Sequence, residues 1–159
     1  MEIKEYDIAN GEGIRVSLWV AGCEHQCTGC HNPHTWNHLN GKEFTIDELM
    51  ELERILSKDN IAGISFTGGD PLSANNRDMI YHISTYLKKH CPTKTQWLWT
   101  GYLWEDIKHL PIMNNINVLI DGKYEQDKRD ITLKWRGSSN QRVIDVQKSL
   151  LLKEVILTK

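Results

Sequence analysis

Three of the chain's four cysteines, Cys23, Cys27 and Cys30, fall within eight residues at the spacing C-x3-C-x2-C. Three thiols this close do not pair off as disulfides. They can face one centre if the loop wraps around it, and Gly22 and Gly29 supply backbone freedom for that wrapping. Soft thiolates select zinc, copper(I) or an iron–sulfur cluster. A closed zinc site takes four ligands, and with no second cysteine pair it would have to recruit His25, His31 or the distant Cys91. A 4Fe-4S cluster on three cysteines leaves one iron open to a non-protein ligand. A fully ligated cluster mainly moves electrons, whereas an open iron can do chemistry. Spacing alone keeps cluster, zinc and plain reduced thiols in play, with the cluster ahead.

A second candidate is Thr67-Gly68-Gly69-Asp70-Pro71. Paired glycines let a ligand's polar head approach the backbone with no Cβ in the way, and the Asp70 carboxylate suits an ammonium group. The plainer reading is a tight turn in which Asp70 caps the next segment. Thr100-Gly101 and Asp121-Gly122 are further turn signals, each at the end of an apolar run.

The elements that must position these residues follow from periodicity. Residues 14–20 (IRVSLWV) read as a buried strand entering the cysteine loop, after the turn signal Asn10-Gly-Glu-Gly13. The residue pair before Pro33 ends that loop. Thr45 and Glu48 form a capping box opening a helix with Ile46, Leu49, Met50, Leu52, Ile55 and Leu56 as its apolar positions. Strands are expected at 61–66, 96–99, 117–120, 143–146 and 155–157, and helices at 77–90 and 103–109. Alternating strands and helices imply right-handed βαβ units and a mostly parallel sheet. A closed eight-unit barrel needs about 250 residues, so 159 residues fit one domain with an incomplete, open βα barrel. In such sheets the carboxyl ends of the strands form the binding face, which brings all the suspect loops to one rim.

Bulk properties narrow the class. With 40% apolar and 25% charged residues, the composition is that of a soluble globular protein. A formal charge of −2 argues against nucleic acid as partner. The start, MEIKEYDIANGEG, lacks a signal-peptide core, and no run approaches the ~20 apolar residues needed to span a bilayer. These features lead us to expect a cytoplasmic protein without a membrane partner. Cys91, before Pro92, reads as an unreactive thiol, and the six tryptophans as core and surface.

C-x3-C-x2-C followed by a Gly-Gly-acid motif resembles the radical S-adenosyl-L-methionine (SAM) superfamily. Two departures stand out. Asp70 sits where many members have glutamate, and Gly29 where many have an aromatic residue. NGEGIR at 10–15, with the cysteine loop and His31-Asn32-Pro33, looks like the activases of glycyl radical enzymes. TGGDPL, WLWTGY, NVLIDGKY and WRGSSNQR narrow the resemblance to the activating proteins of anaerobic (class III) ribonucleoside-triphosphate reductases. The match runs from Asn10 to about Val146.

The resemblance implies a 4Fe-4S cluster on Cys23, Cys27 and Cys30, and SAM cleaved by one electron to methionine and a 5′-deoxyadenosyl radical. That radical takes hydrogen from a glycine of the partner, the large subunit of the reductase, itself a glycyl radical enzyme. A low-potential donor such as flavodoxin is implied as well. Gly29, Cys30 and His31 are expected beside the nucleoside of SAM, Gly68, Gly69 and Asp70 at its amino group, and Thr100 and Asp121 at ribose or carboxylate. Asp121-Gly122 reads equally as a plain turn. Competing readings are the activase of another glycyl radical enzyme, a radical SAM enzyme acting on a small molecule, and a non-enzymatic iron–sulfur or zinc protein.

Overall fold

The computed structural model describes residues 1–158. Six strands form one open sheet in chain order: β1 (Glu2–Asp7), β2 (Arg15–Val20), β3 (Gly63–Gly68), β4 (Thr95–Trp99), β5 (Val118–Asp121) and β6 (Arg142–Asp145). The four inner strands, β2 to β5, run parallel, while β1 and β6 pair antiparallel at the two edges. Helices α1 (Ile46–Leu56), α2 (Arg77–His90) and α3 (Trp104–Ile107) provide the crossovers between parallel neighbours, and α4 (Val146–Leu152) follows β6. Among the described residues no helix is long and apolar enough to cross a membrane.

Strand alternation separates two chemically different faces. On one face Val16, Ile64, Leu18, Phe66, Leu98, Leu119 and Ile144 lie side by side in register, all fully buried. Leu52, Ile55 and Leu56 of α1 and Ile80, Ile83 and Leu87 of α2 complete this core. Burying such a side chain is worth about 1.5–3 kcal/mol each, so this face fixes the order of the strands. The opposite face carries Arg15, Ser17, Ser65, Thr67, Trp97 and Trp99. There the Arg15 guanidinium, 1% exposed, donates to Ser65 Oγ at 2.8 Å, Ile64 O at 2.8 Å and Thr95 O at 2.9 Å. Burial pulls its pKa down to about 10, and the carbonyls satisfy its donors in place of a carboxylate.

The expected helices and inner strands are present within a few residues. In α1 the backbone N–H of Thr45 donates to Glu48 Oε2 at 2.8 Å, while Ile46 and Met50 stay exposed. Two expected strands need correction, and one strand is additional. Residues 2–7, read without an element, form edge strand β1. The expected strand at 143–146 ends at Asp145, because the Asp145 carboxylate accepts from Lys148 N and starts α4. Residues 155–157 contribute only a single bridge, Leu157 to Ile144. Residues 133–135 belong to no strand or helix.

Candidate functional site

The carboxyl ends of β2 to β5 open into one cavity of about 220 Å³. The loop after β2 brings Cys23, Cys27 and Cys30 to it, and the loop after β3 brings Gly68, Gly69 and Asp70. Thr100 and Gly101 enter from β4, and Gly122 and Tyr124 from beyond β5. The parallel crossovers explain the convergence, since every loop at this end leaves a strand and heads for a helix or rim segment.

The cysteine loop is closed at its neck. Gly22 N donates to Thr35 O at 2.6 Å and Cys23 N to Trp36 O at 3.1 Å. Along this loop Gly22, Gln26 and Gly29 all take positive φ, which curls the chain, and the three cysteines are half-exposed and line the cavity. Burial pushes the Cys23 thiol up, with Asp70 and Cys27 adding to the rise and the His25 and Gln26 N–H groups pulling it back. Asn32 N donates to Cys30 Sγ at 3.4 Å. Backbone N–H groups aimed at sulfur are what cluster-bound thiolates use to hold charge, so the donor set fits a cluster. Among the described residues no three His, Cys, Asp or Glu side chains already stand at metal-ligating geometry. Trp36 also lines the cavity, and its buried indole N–H has no partner among the described residues.

The glycine loop is packed directly against the cysteine loop. Gly69 N donates to Val20 O at 2.7 Å and Asp70 N to Gly22 O at 2.8 Å. A Cβ on Gly69 would sit 2.6 Å from Gly22 O, and Gly68 has φ +105° with Val20 N 2.6 Å from its missing Cβ. The buried Asn76 amide then ties the two loops, reaching Ala21 O at 2.9 Å and Asp70 O at 3.0 Å. Asp70 itself is 1% exposed and faces protein donors. Its oxygens accept from Leu72 N (2.8 Å), Gly101 N (2.9 Å), Thr100 Oγ1 (2.9 Å) and His25 Nε2 (2.6 Å).

The segment 122–141 forms the far rim. Gly29 has φ +76°, which L side chains rarely adopt, and a Cβ there would also meet the movable end of the Gln126 side chain. The aromatic wall is supplied by His31 and Tyr124, whose rings stand 5.8 Å apart. Gln141 pins this rim: its Oε1 accepts from Gly137 N at 3.0 Å and its Nε2 donates to Gly122 O at 3.0 Å. Asp121 faces away from the cavity, fully buried, accepting from Trp104 N at 2.7 Å and paired with Arg142.

Of the residues singled out from sequence, Cys23, Cys27, Cys30, His31, Gly68, Gly69, Asp70 and Thr100 meet at one cavity. Gly29 shapes the loop from behind, and Asp121 stands apart. His25, Asn76, Tyr124 and Gln141 were not marked as site-builders. His25 stands between two cysteines and reads from sequence only as a metal ligand, Tyr124 and Gln141 lie within the NVLIDGKY and WRGSSNQR stretches without a role of their own, and Asn76 carries no signal. Cys91 lies buried at the end of α2, where burial raises its thiol pKa, far in character from a ligand.

Comparison with known proteins matches residues 9–144 to the model of the 4Fe-4S single cluster domain. The anaerobic ribonucleoside-triphosphate reductase-activating protein of Enterobacteria phage T4 is 49% identical over 137 residues, 86% of this chain and 87% of that protein. The proteins of the same name from Pasteurella multocida and Escherichia coli are 44% and 42% identical, over 85% and 86% of this chain and 89% and 92% of their own. With three cysteines lining a strand-end cavity, the chain belongs to the 4Fe-4S single cluster domain family and, within it, to the anaerobic ribonucleoside-triphosphate reductase-activating proteins.

Proposed function

We propose that this chain is a radical SAM activase that generates a glycyl radical on the large subunit of an anaerobic ribonucleoside-triphosphate reductase. The observation that carries the reading is the convergence of Cys23, Cys27 and Cys30 with the Gly68-Gly69 loop on a single cavity. A 4Fe-4S cluster held by the three thiolates supplies, when bound, one electron to SAM, which is consumed as substrate. The sulfonium C–S bond then breaks to give methionine and a 5′-deoxyadenosyl radical. Hydrogen transfer from a glycine α-carbon of the partner to that radical yields 5′-deoxyadenosine and the glycyl radical, so atoms and electrons balance.

The chain's own residues bind, orient and enclose. Gly68 and Gly69 end β3 with backbone unshielded by side chains, His31 and Tyr124 offer ring surface for the nucleoside, and Thr100 and Cys30 border the space between. Trp36 N–H is a spare donor for a ligand acceptor. No side chain needs to move a proton, and none is assigned that role. We further propose that the chain works as a single radical SAM domain, an incomplete barrel whose uncovered edge admits the partner's glycine loop. It would act in the cytoplasm, with a flavodoxin-like donor and no nucleic acid or membrane partner.

The test is isotopic. Reduced, reconstituted chain is incubated with SAM and reductase bearing α-deuterated glycine. Deuterium in 5′-deoxyadenosine together with a glycyl signal in the reductase spectrum is the expected result. Ready SAM cleavage with neither signal would overturn the activase reading.

A further inference from the structure

The acidic residue of the Gly-Gly-Asp loop is turned into the protein. An ionised carboxylate offers about four acceptor sites. In Asp70 these meet Leu72 N–H, Gly101 N–H, the Thr100 hydroxyl and His25 Nε2, all within 3.0 Å. Since the carboxylate can only accept, Nε2 is the nitrogen of His25 that carries hydrogen. Nothing in this set is left over for a ligand's ammonium group. The carboxylate instead joins three segments: the cysteine loop through His25, the end of β4 through Thr100 and Gly101, and the approach to α2 through Leu72.

His25 is held for this task from every side. Its side chain is 6% exposed although its neighbours Glu24 and Gln26 lie on a loop. Its ring packs edge-on against Tyr102 at 4.6 Å and lies so close to the Cα of Gly101 that any Cβ there would collide with it. Gln26, the next residue, adopts φ +48°, in the left-handed region that non-glycine residues rarely take. A loop residue buried at such backbone cost has a job that a solvated loop residue lacks.

We propose that His25 and Asp70 form a paired positioning device. The pair anchors the middle of the cysteine loop to the glycine loop, so that Cys23 and Cys27, which flank His25, are presented to the cluster from a fixed base. In this assignment Asp70 acts through His25, and the ligand's polar head at this loop is met by backbone of Gly68 and Gly69. The SAM part of this assignment rests on the function proposed above, while the anchoring of the thiols does not.

The test uses anaerobically reconstituted chain carrying His25→Ala, Asp70→Ala, both changes, or His25→Gln, whose amide keeps a donor at similar reach. Three quantities are read: the rate of iron loss to a chelator, the spin-resonance spectrum of the reduced cluster with and without SAM, and the melting temperature of the metal-free chain. Loss of a charge-assisted buried hydrogen bond predicts roughly tenfold or more faster iron release in each alanine variant. The double variant should release iron no faster than the worse single one, because the two residues share one interaction. His25→Gln should return release to within about threefold of the starting chain.

Additive effects in the double variant overturn the pairing. So does an Asp70→Ala chain that weakens SAM binding while iron release stays unchanged, which would make Asp70 a direct ligand contact. Lowered melting temperature with unaltered iron release would reduce the pair to fold maintenance and overturn the proposal as well. A starting chain whose cluster spectrum ignores SAM would count against the proposed function, and the iron-release comparison would still decide the pairing.

Discussion

The guanidinium of Arg142, at the start of β6, closes onto the fully buried carboxylate of Asp121 at the end of β5, and Arg142 also reaches Glu105 at 2.8 Å. Asp121 hydrogen-bonds the N–H of Trp104 as well, so one carboxylate joins the antiparallel edge of the sheet to the start of α3. The side chain of Arg142 is 29% exposed and its pKa is raised by the Asp121 and Glu105 hydrogen bonds. It stays charged at any working pH.

Arg142→Ala should therefore destabilise the chain by about 2 kcal/mol, less than for a fully enclosed pair because solvent reaches the Arg142 side. Denaturant unfolding of the metal-free chain measures this. SAM affinity of the reconstituted variant should stay unchanged, and a large loss of affinity with normal stability would return Asp121 to the binding site.

Alanine at Cys23, Cys27 or Cys30 should each prevent stable iron incorporation, since all three line the same cavity and Cys91 does not. Cys91→Ala touches only the core beneath α2 and should cost about 1 kcal/mol of stability with iron content intact. Iron and sulfide assays after reconstitution separate the two behaviours. A Cys91 variant as iron-poor as a Cys27 variant would break the three-ligand assignment.

Gly69→Ala puts a methyl group 2.6 Å from Gly22 O and 3.1 Å from Thr35 O, both backbone atoms of the cysteine-loop neck. Backbone cannot step aside as a flexible side chain can, so overpacking of about 1–3 kcal/mol is expected. The strain falls on the neck, and iron release should accelerate along with loss of stability. If only SAM binding suffers, the glycine is there for the ligand and the contact with Gly22 is slack.

How much of this was legible in the chain depends on the range of the contact. β2, β3, β4 and β5 were readable because each is an apolar run punctuated by Gly or Asp at its carboxyl end, and those punctuation marks are the rim. β1 was not, because the two apolar residues of EIKEYD, Ile3 and Tyr6, lie three positions apart and break the period of two, and the segment becomes a strand by pairing with β2 through a register shift between Lys4 and Asp7. The antiparallel sense of β6 had a usable sign: residues 122–141 hold no helical crossover of the kind a parallel partner requires. The need for Gly68 and Gly69 was visible, whereas its main physical source, the Gly22 and Val20 backbone, was not. His25 and Asp70 are 45 positions apart, and nothing local marks either as the other's partner.

Acid should loosen the chain in part through Asp7, which closes the turn leading into β2. Asp7 Oδ1 accepts from Ala9 N at 2.8 Å and Asn10 N at 3.1 Å, and Oδ2 from Asn10 Nδ2 and Ser17 Oγ, each at 2.6 Å. Burial works to raise its pKa, but the bonds from Ser17, Asn10 and the two backbone N–H groups outweigh it and leave the carboxyl below its ordinary value. The unfolded chain, with an Asp pKa near ~3.9, then binds the proton first as pH falls. The stabilisation is present in full above about pH 4 and is lost as pH drops through the lower folded value. Melting curves of the metal-free chain should decline below about pH 4. Asp7→Asn should melt lower at neutral pH, because an amide cannot accept at both atoms, and its decline in acid should be shallower. Other carboxylates titrate in the same window, so the informative quantity is the gap between the two curves. It should narrow as pH falls, and two parallel curves would mean that Asp7 contributes nothing through its charge.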